Sequence, residues 1–309
     1  MSEPSGQLQL PRELKDVILS KKCVAFIGSG LSSGCYPSWS KLVHALCERC
    51  GSPHSVHEDS PACDLLDAAQ DAKNRAKNQY FSFLGETFGR DGDSATIRRY
   101  NSLLALPFHS YLSINFDPLL FLWAPRVRPP CSMAKKFPDL DRKDMVNRSI
   151  HYLHGLIEQG VTPTDGDIVL ARDEFDAAYS DNSVLVSLLA STLRNDPIVF
   201  IGCSLREHVW ERISDIYKNQ QRELREYFRR QNIPRKPPPR FILAPMPEMN
   251  RKEGGQPDEA LSREVPQDED ARYRSMDIIP VWYRVSGSDH SQLWDAIEQL
   301  AGIPPLKVS

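Results

Sequence analysis

The 309-residue chain is short of several features, and each shortage excludes a class of protein. No stretch approaches the roughly 18 consecutive apolar residues that span a bilayer. The first residues, Met1 to Gln9, are polar and have no apolar core of the kind a secretory signal needs. With a formal charge of -3, the chain exerts no global pull on nucleic acid or anionic membrane. There is no internal repeat. A cytoplasmic, reducing location is therefore expected, with no membrane contact and no direct nucleic-acid binding.

The cysteines add a further exclusion. There are seven, an odd count, scattered as Cys23, Cys35, Cys47, Cys50, Cys63, Cys131 and Cys203. Cys47 and Cys50 make a single Cys-x-x-Cys. A structural zinc site needs a second pair, and none follows, so free thiols and no metal are expected.

What is present is a regular alternation. Short apolar runs occur at Cys23 to Ile27, Ser110 to Ile114, Ile150 to Leu153, Ile198 to Ile201, Phe241 to Ala244 and Ile278 to Tyr283. Most gaps between them hold enough residues for a crossover helix. This pattern predicts an α/β fold, a Rossmann-like and mostly parallel sheet with helices on both faces. A helix is expected from Trp39 to Cys50, stopped by Gly51. Others are expected over Ser183 to Leu193, Glu207 to Gln231 and His290 to Leu300, the third heavily charged. The polar helical sequence between Asp64 and Phe88 predicts a small helical insertion, assigned to 52–104. Around it we expect one domain over 14–305 and a polar tail at 1–13. A charged, mobile loop is expected over 245–272, and a proline-rich loop or lid from Pro125 to Pro138.

In an open parallel sheet, ligands bind beyond the carboxyl ends of the strands. The unusual residues sit there. Gly28-Ser29-Gly30-Leu31-Ser32 follows the first run, Asn115-Phe116-Asp117 the second, His154-Gly155 the third, and Gly202-Cys203-Ser204-Leu205 the next. Glycines 28 and 30 suit positive φ and close approach of backbone N–H groups to an anion. Ser29 and Ser32 add hydroxyl donors. Each motif alone has a plain structural explanation: a tight turn, a helix cap before Pro118, a hydrogen-bonded core histidine, a strand end. Four of them in order point instead to a dinucleotide site. Ser33 stands where an ordinary dehydrogenase has its third glycine, and no Lys-Ser/Thr of a triphosphatase loop follows.

This ordered set resembles the sirtuin-like family of NAD-consuming enzymes. Phe26 to Ser32 with Pro37-Ser38-Trp39 is similar to that family's opening phosphate loop. Ser113 to Asp117 resembles its Thr-x-Asn-x-Asp motif, with Ser113 and Ile114 in place of the usual threonine. His154-Gly155 matches the catalytic His-Gly, and Gly202 to Leu205 resembles the Gly-Thr/Tyr-Ser-Leu turn. Ile279 to Tyr283, with Asp289, His290 and Leu293, resembles the closing strand and helix of the bacterial-type branch. The loop to Pro37 is one residue shorter than in protein deacetylases. The four-cysteine zinc ribbon of those enzymes is missing, since only Cys203 follows His154.

The resemblance implies an NAD glycohydrolase, releasing nicotinamide and ADP-ribose, as in the branch found in bacterial immunity against phage. It implies NAD as substrate and activation through homo-oligomer formation or a partner-triggered assembly. His154 and Asn115 would be catalytic. Gly28, Ser29, Gly30 and Ser32 would hold the diphosphate, Asp117 the ribose or the Asn115 loop, and Gly202 and Ser204 the adenosine half. The alternatives are a protein deacylase or ADP-ribosyltransferase, and a catalytically silent NAD or ADP-ribose-binding assembly protein.

Overall fold

A computed structural model describes the chain at residues 8–57, 60–89, 92–132, 134–181, 183–205, scattered positions of 210–230, 237–246, 267–285 and 290–303. Seven strands form one sheet: β1 (Val24–Ile27), β2 (Ser110–Ser113), β3 (Lys135–Lys136), β4 (Ser149–Tyr152), β5 (Ile198–Ile201), β6 (Arg240–Pro245) and β7 (Ile279–Tyr283). Their order is β3-β4-β2-β1-β5-β6-β7, and every pairing is parallel. Registers run without slip across the centre, Val24 opposite both Ser110 and Ile198. The chain reverses its direction of travel across the sheet between β1 and β5, so the topological switch point lies at the carboxyl end of these two strands.

Ten α-helices are described: α1 (Arg12–Leu19), α2 (Trp39–Cys50), α3 (Ala62–Arg75), α4 (Lys77–Phe88), α5 (Ser94–Ala105), α6 (Leu119–Trp123), α7 (Arg172–Ala178), α8 (Val184–Asn195), α9 (Gln267–Ser275) and α10 (Ser291–Ala301). Side chains alternate across each strand, which divides the core in two. Ala25, Ile27, Tyr111 and Val199 pack with Leu14, Leu42, Leu103 and Ile297 from α1, α2, α5 and α10. Val24, Phe26, Leu112 and Phe200 pack the other way, with Phe175, Leu189 and Tyr273 from α7, α8 and α9. The four residues of each central strand are all buried, which explains why they read as unbroken apolar runs.

The boundaries of α2 follow from its caps. Ser38 Oγ accepts from the Lys41 N–H at 3.4 Å, and Gly51 closes the helix in the left-handed region at φ 67. The proline-rich segment does not form a lid. Lys135 and Lys136 within it pair with β4 as a seventh, edge strand, and none of the described residues of 124–148 lines the cavity described below. Two lysines suit an edge, because their charge deters pairing with another chain. The long helix expected over 207–231 falls largely outside the described residues, as do 247–266 of the expected mobile loop, Asp289 and residues 1–7 of the polar tail. Where the former is described, Trp210 is buried against Phe26 and Phe200, with ring centroids 4.8 and 4.9 Å away. No helix among the described residues is long and apolar enough to cross a membrane.

Between α2 and β2 the chain makes three helices in succession, α3, α4 and α5, and two sets of ion pairs fasten them. The buried Lys73 of α3 reaches Asp165 and Glu174 at 2.8 Å and Asp173 at 3.2 Å. Burial opposes its charge, but these acceptors outweigh that effect and hold the ammonium above its ordinary pKa. Arg98 of α5 grips the buried Glu298 of α10 with two hydrogen bonds, at 2.5 and 2.6 Å. Lys73→Ala leaves Glu174 buried without its counter-charge. It should cost about 3–5 kcal/mol, read from urea unfolding. An unchanged unfolding midpoint would show that Lys73 is no clamp.

Candidate functional site

Three glycines lock the turns after β1 and β5 together. The Gly30 N–H donates to Gly202 O at 2.9 Å, and the Gly28 N–H to Ile201 O at 3.0 Å. A Cβ on Gly28 would lie 2.5 Å from Gly202 O, and one on Gly30 2.9 Å from the same atom. Gly202 has φ +69, and its Cβ would meet Leu31 N at 2.6 Å. Neither Gly28 nor Gly30 adopts positive φ, contrary to the expectation from sequence. They are glycines because another backbone lies against them, and the turn that needs positive φ is the one at Gly202.

The loop N–H groups are also used differently from the expected anion cradle. Ser29–Leu31 forms a 3-10 turn in which the Leu31 N–H bonds to Gly28 O and the Ser32 N–H to Ser29 O. Four of the five loop N–H groups therefore have backbone partners, at residues 28, 30, 31 and 32. Ser32 is buried, and its hydroxyl donates to Ser29 O at 3.3 Å.

Beside this lock, a cavity of about 70 Å³ opens at the carboxyl edge of β1, β2 and β4. Ser29, Ser32, Asn115, Asp117 and His154 supply its polar lining. The rest is apolar: Tyr36, Pro37, Trp39 and Leu42 around the start of α2, Leu66 and Phe88 from α3 and α4, Ile114 and Phe116 after β2, and Val169, Leu170 and Phe175 at α7. The structure thus gathers five of the nine expected site residues. Gly28, Gly30 and Gly202 form the lock behind them. Ser204 is exposed beyond it, its carbonyl accepting from Tyr273 and Arg272 of α9.

Asn115 is held at both ends. Its backbone N–H donates to Ser113 Oγ at 3.1 Å, and its Nδ2 donates to Gly28 O at 3.1 Å. Its Oδ1 is buried without a hydrogen-bond partner among the described residues. Such an atom costs about 1–3 kcal/mol and is an acceptor awaiting a donor. Two residues on, Asp117 accepts from the Leu119 N–H at 3.1 Å in a turn around Pro118, which is itself the N-cap residue of α6. Its oxygens also accept from Tyr100 Oη at 3.2 and 3.3 Å. Burial raises its pKa, opposed by hydrogen bonds from Leu119, Ser32, Tyr100 and Asn115.

His154 lies at the end of a file of rings. Tyr36 stacks on Phe88 at 5.4 Å, Phe88 meets Phe116 at 5.7 Å, and Phe116 meets the imidazole at 6.4 Å. On its far side Nε2 shares a 2.8 Å hydrogen bond with the hydroxyl of Tyr179. Burial alone lowers its pKa to about 3. The next residue, Gly155, has φ +92, and a Cβ there would lie 2.1 Å from Asp167 O. The strand end at His154-Gly155 thus packs directly on the 166–170 segment, and the Val169 N–H donates to His154 O at 3.0 Å.

Residues 109–260 match the family model described as the SIR2-like domain. This stretch, just under half of the chain, is similar to that domain. The match begins just before β2 and includes Asn115, His154 and Gly202, but not the loop after β1. Solved structures similar to the chain include a Sir2 homologue in complex with NAD. It is 11% identical, with 96% of each chain covered and a TM-score of 0.44. Another is a Sir2 homologue variant in complex with ADP-ribose, also 11% identical, covering 96% of this chain and 100% of its own, at a TM-score of 0.42. No curated protein matches the chain in sequence. Among the described residues no group of three His, Cys, Asp or Glu side chains is placed to hold a metal ion.

Sequence reasoning missed Tyr100, Tyr179 and Lys73. All three act across long sequence separations, and a residue of that kind leaves no local pattern. Two outcomes follow from the geometry. With its pKa near 3, His154 should stay neutral from pH 5 to 8, so its ring resonances in an NMR titration should not move over that range. A midpoint near the ordinary 6.5 would mean that the imidazole is solvated. Gly202→Ala should destabilise the fold by about 2–4 kcal/mol, since it combines left-handed strain with a backbone clash. Gly34→Ala, also at positive φ but with open space around it, should cost about 1 kcal/mol. Equal unfolding midpoints for the two variants would remove the lock as the cause.

Proposed function

We propose that the chain is an NAD glycohydrolase, cleaving the nicotinamide–ribose bond to give nicotinamide and ADP-ribose. The observation that carries this is the pairing of a buried neutral imidazole with an unpartnered Asn115 Oδ1 in one apolar cavity, at the strand ends of a SIR2-like domain. The substrate fits what the residues lack. Asn115 Oδ1 needs a donor, which a carboxamide NH₂, a ribose hydroxyl or the attacking water supplies.

Cleavage passes through an oxocarbenium-like state, and nicotinamide is already a good leaving group. The protein's task is then to bind, orient and exclude water. His154, kept neutral by burial, accepts a hydrogen bond from a ribose hydroxyl and strengthens it as positive charge develops on the sugar. Asn115 orients water or carboxamide without competing as a nucleophile. The aromatic file from Tyr36 to Phe116 encloses the pyridine ring, and Asp117 fixes the loop that carries Asn115. Ser29 and Ser32 face the diphosphate, while Gly30 and Ser204 continue the exposed strand-end surface toward the adenosine half. The proposal extends to NAD depletion in cytoplasmic antiphage defence, with activity released by homo-oligomer formation or by a partner, as the sequence resemblance implies.

Incubation with NAD at high protein concentration, followed by chromatography, tests this. Nicotinamide and ADP-ribose should appear in equal amounts with no protein acceptor. His154→Ala and Asn115→Ala should each lower nicotinamide release by at least about 10²-fold while the fold is retained. Turnover that requires an acylated protein would identify a deacylase. Label transferred to protein would identify an ADP-ribosyltransferase, and binding without turnover a silent NAD or ADP-ribose-binding assembly protein.

A further inference from the structure

The two ring nitrogens of His154 have different duties, because a neutral imidazole holds one N–H donor and one lone-pair acceptor. Nε2 shares a 2.8 Å hydrogen bond with Tyr179 Oη, and the ring makes no other hydrogen bond among the described residues. That leaves Nδ1 for the cavity that His154 lines. Tyr179 itself does not line the cavity. It is the C-cap residue of α7, is 3% exposed, and is held from three sides. Its ring stacks on Phe175 at 4.5 Å and meets the imidazole edge-on at 5.8 Å, and its carbonyl accepts from Arg212 Nε and Nη2, each at 3.2 Å. The hydroxyl is thus fixed against Nε2 by a residue that never touches the cavity's contents.

We propose that Tyr179 is a positioning residue whose hydroxyl oxygen accepts the Nε2–H of His154 and so keeps the lone pair on Nδ1, toward the substrate. This rests on the functional reading above, in which the imidazole accepts from a ribose hydroxyl. It adds which nitrogen accepts and what holds the ring in that state. The nitrogen that carries the proton is set by the hydrogen bond the other groups offer it. Without the Tyr179 oxygen, Nε2–H is a buried donor with no acceptor, and the proton moves to Nδ1, where the cavity satisfies it. Such a shift spares binding and spoils catalysis. A ribose hydroxyl both donates and accepts, so it turns round and bonds to an Nδ1–H as well as to a lone pair. An Nδ1–H, however, has no lone pair with which to strengthen that bond as charge develops on the sugar.

Nitrogen-15 NMR of the whole chain labelled at histidine, combined with kinetics, tests this. The His154 signals are assigned by their loss in His154→Gln. In the wild type, Nε2 should be protonated and Nδ1 unprotonated. Tyr179→Phe removes only the hydroxyl and keeps the ring that stacks on Phe175. It should move the proton to Nδ1 and lower kcat for nicotinamide release about tenfold, about 1.4 kcal/mol, with KM within about twofold. A residue that merely packs α7 would leave the protonated nitrogen where it is. A wild type protonated on Nδ1, or on both nitrogens, overturns the proposal, and that spectrum decides the matter even if the variant does not fold. So does a folded Tyr179→Phe variant that keeps the proton on Nε2, or that hydrolyses NAD at the wild-type kcat. A proton on Nε2 that moves in Tyr179→Phe, in a chain that does not turn NAD over, upholds the positioning and removes the glycohydrolase reading. NAD hydrolysis by a wild type protonated on Nδ1 does the reverse.

Discussion

The contact on which the site depends is between two backbones. The turns after β1 and β5 meet with no side chain between them, and Gly28, Gly30 and Gly202 are the three places where a Cβ would force them apart. Because β1 and β5 are adjacent parallel strands, their carboxyl ends would splay if the turns did not interdigitate. The lock draws the 3-10 turn of Ser29–Leu31 down against the sheet, and this places Gly28 O where Asn115 Nδ2 reaches it. One backbone interaction thereby orients the amide of the neighbouring strand end. Among the described residues, the amide's Oδ1 is left without a hydrogen-bond partner.

Around this lock the polar contacts that fix the cavity come from outside it. Lys73 holds Glu174, and Glu174 in turn accepts from the Leu170 and Ala171 N–H groups at 2.9 and 2.8 Å. Leu170 is a wall of the cavity, so an ion cluster on the α3 side sets the position of an apolar surface. Tyr100 does the same for Asp117 from α5, and α5 is itself tied to α10 by Arg98 and Glu298. The three helices inserted between α2 and β2 are therefore part of the site's support. They supply Leu66 and Phe88 to its lining and Tyr100 and Lys73 to its bracing.

Much of this was legible in the sequence wherever the signal is local. Ile198 to Ile201 reads as a central strand because both faces are buried, and Trp39 to Cys50 reads as a helix because Ser38 and Gly51 cap it. The four strand ends could be singled out because parallel topology concentrates ligand contacts there. The reason for Gly28 and Gly30 was not legible. Close approach to Gly202 depends on a register between strands about 170 residues apart, and sequence alone offers positive φ as the more familiar explanation. Lys135 and Lys136 escaped notice because a two-residue edge strand half open to solvent has no apolar pattern. Tyr100, Tyr179 and Lys73 escaped because a bracing residue is defined by its partner, and each partner lies 17 to 101 positions away.

Burial has opposite consequences for the two ionisable groups of the cavity. It drives His154 down, so that the imidazole carries no positive charge at neutral pH. It pushes Asp117 up, so that negative charge there is held against a desolvation cost. The same apolar walls that suppress the imidazolium also disfavour the Asp117 carboxylate, which the Tyr100 hydroxyl and the Leu119 N–H support by hydrogen bonds. An apolar lining around polar residues is therefore not a contradiction in this site. By withholding solvent from both groups, it favours the uncharged form of each over the charged one.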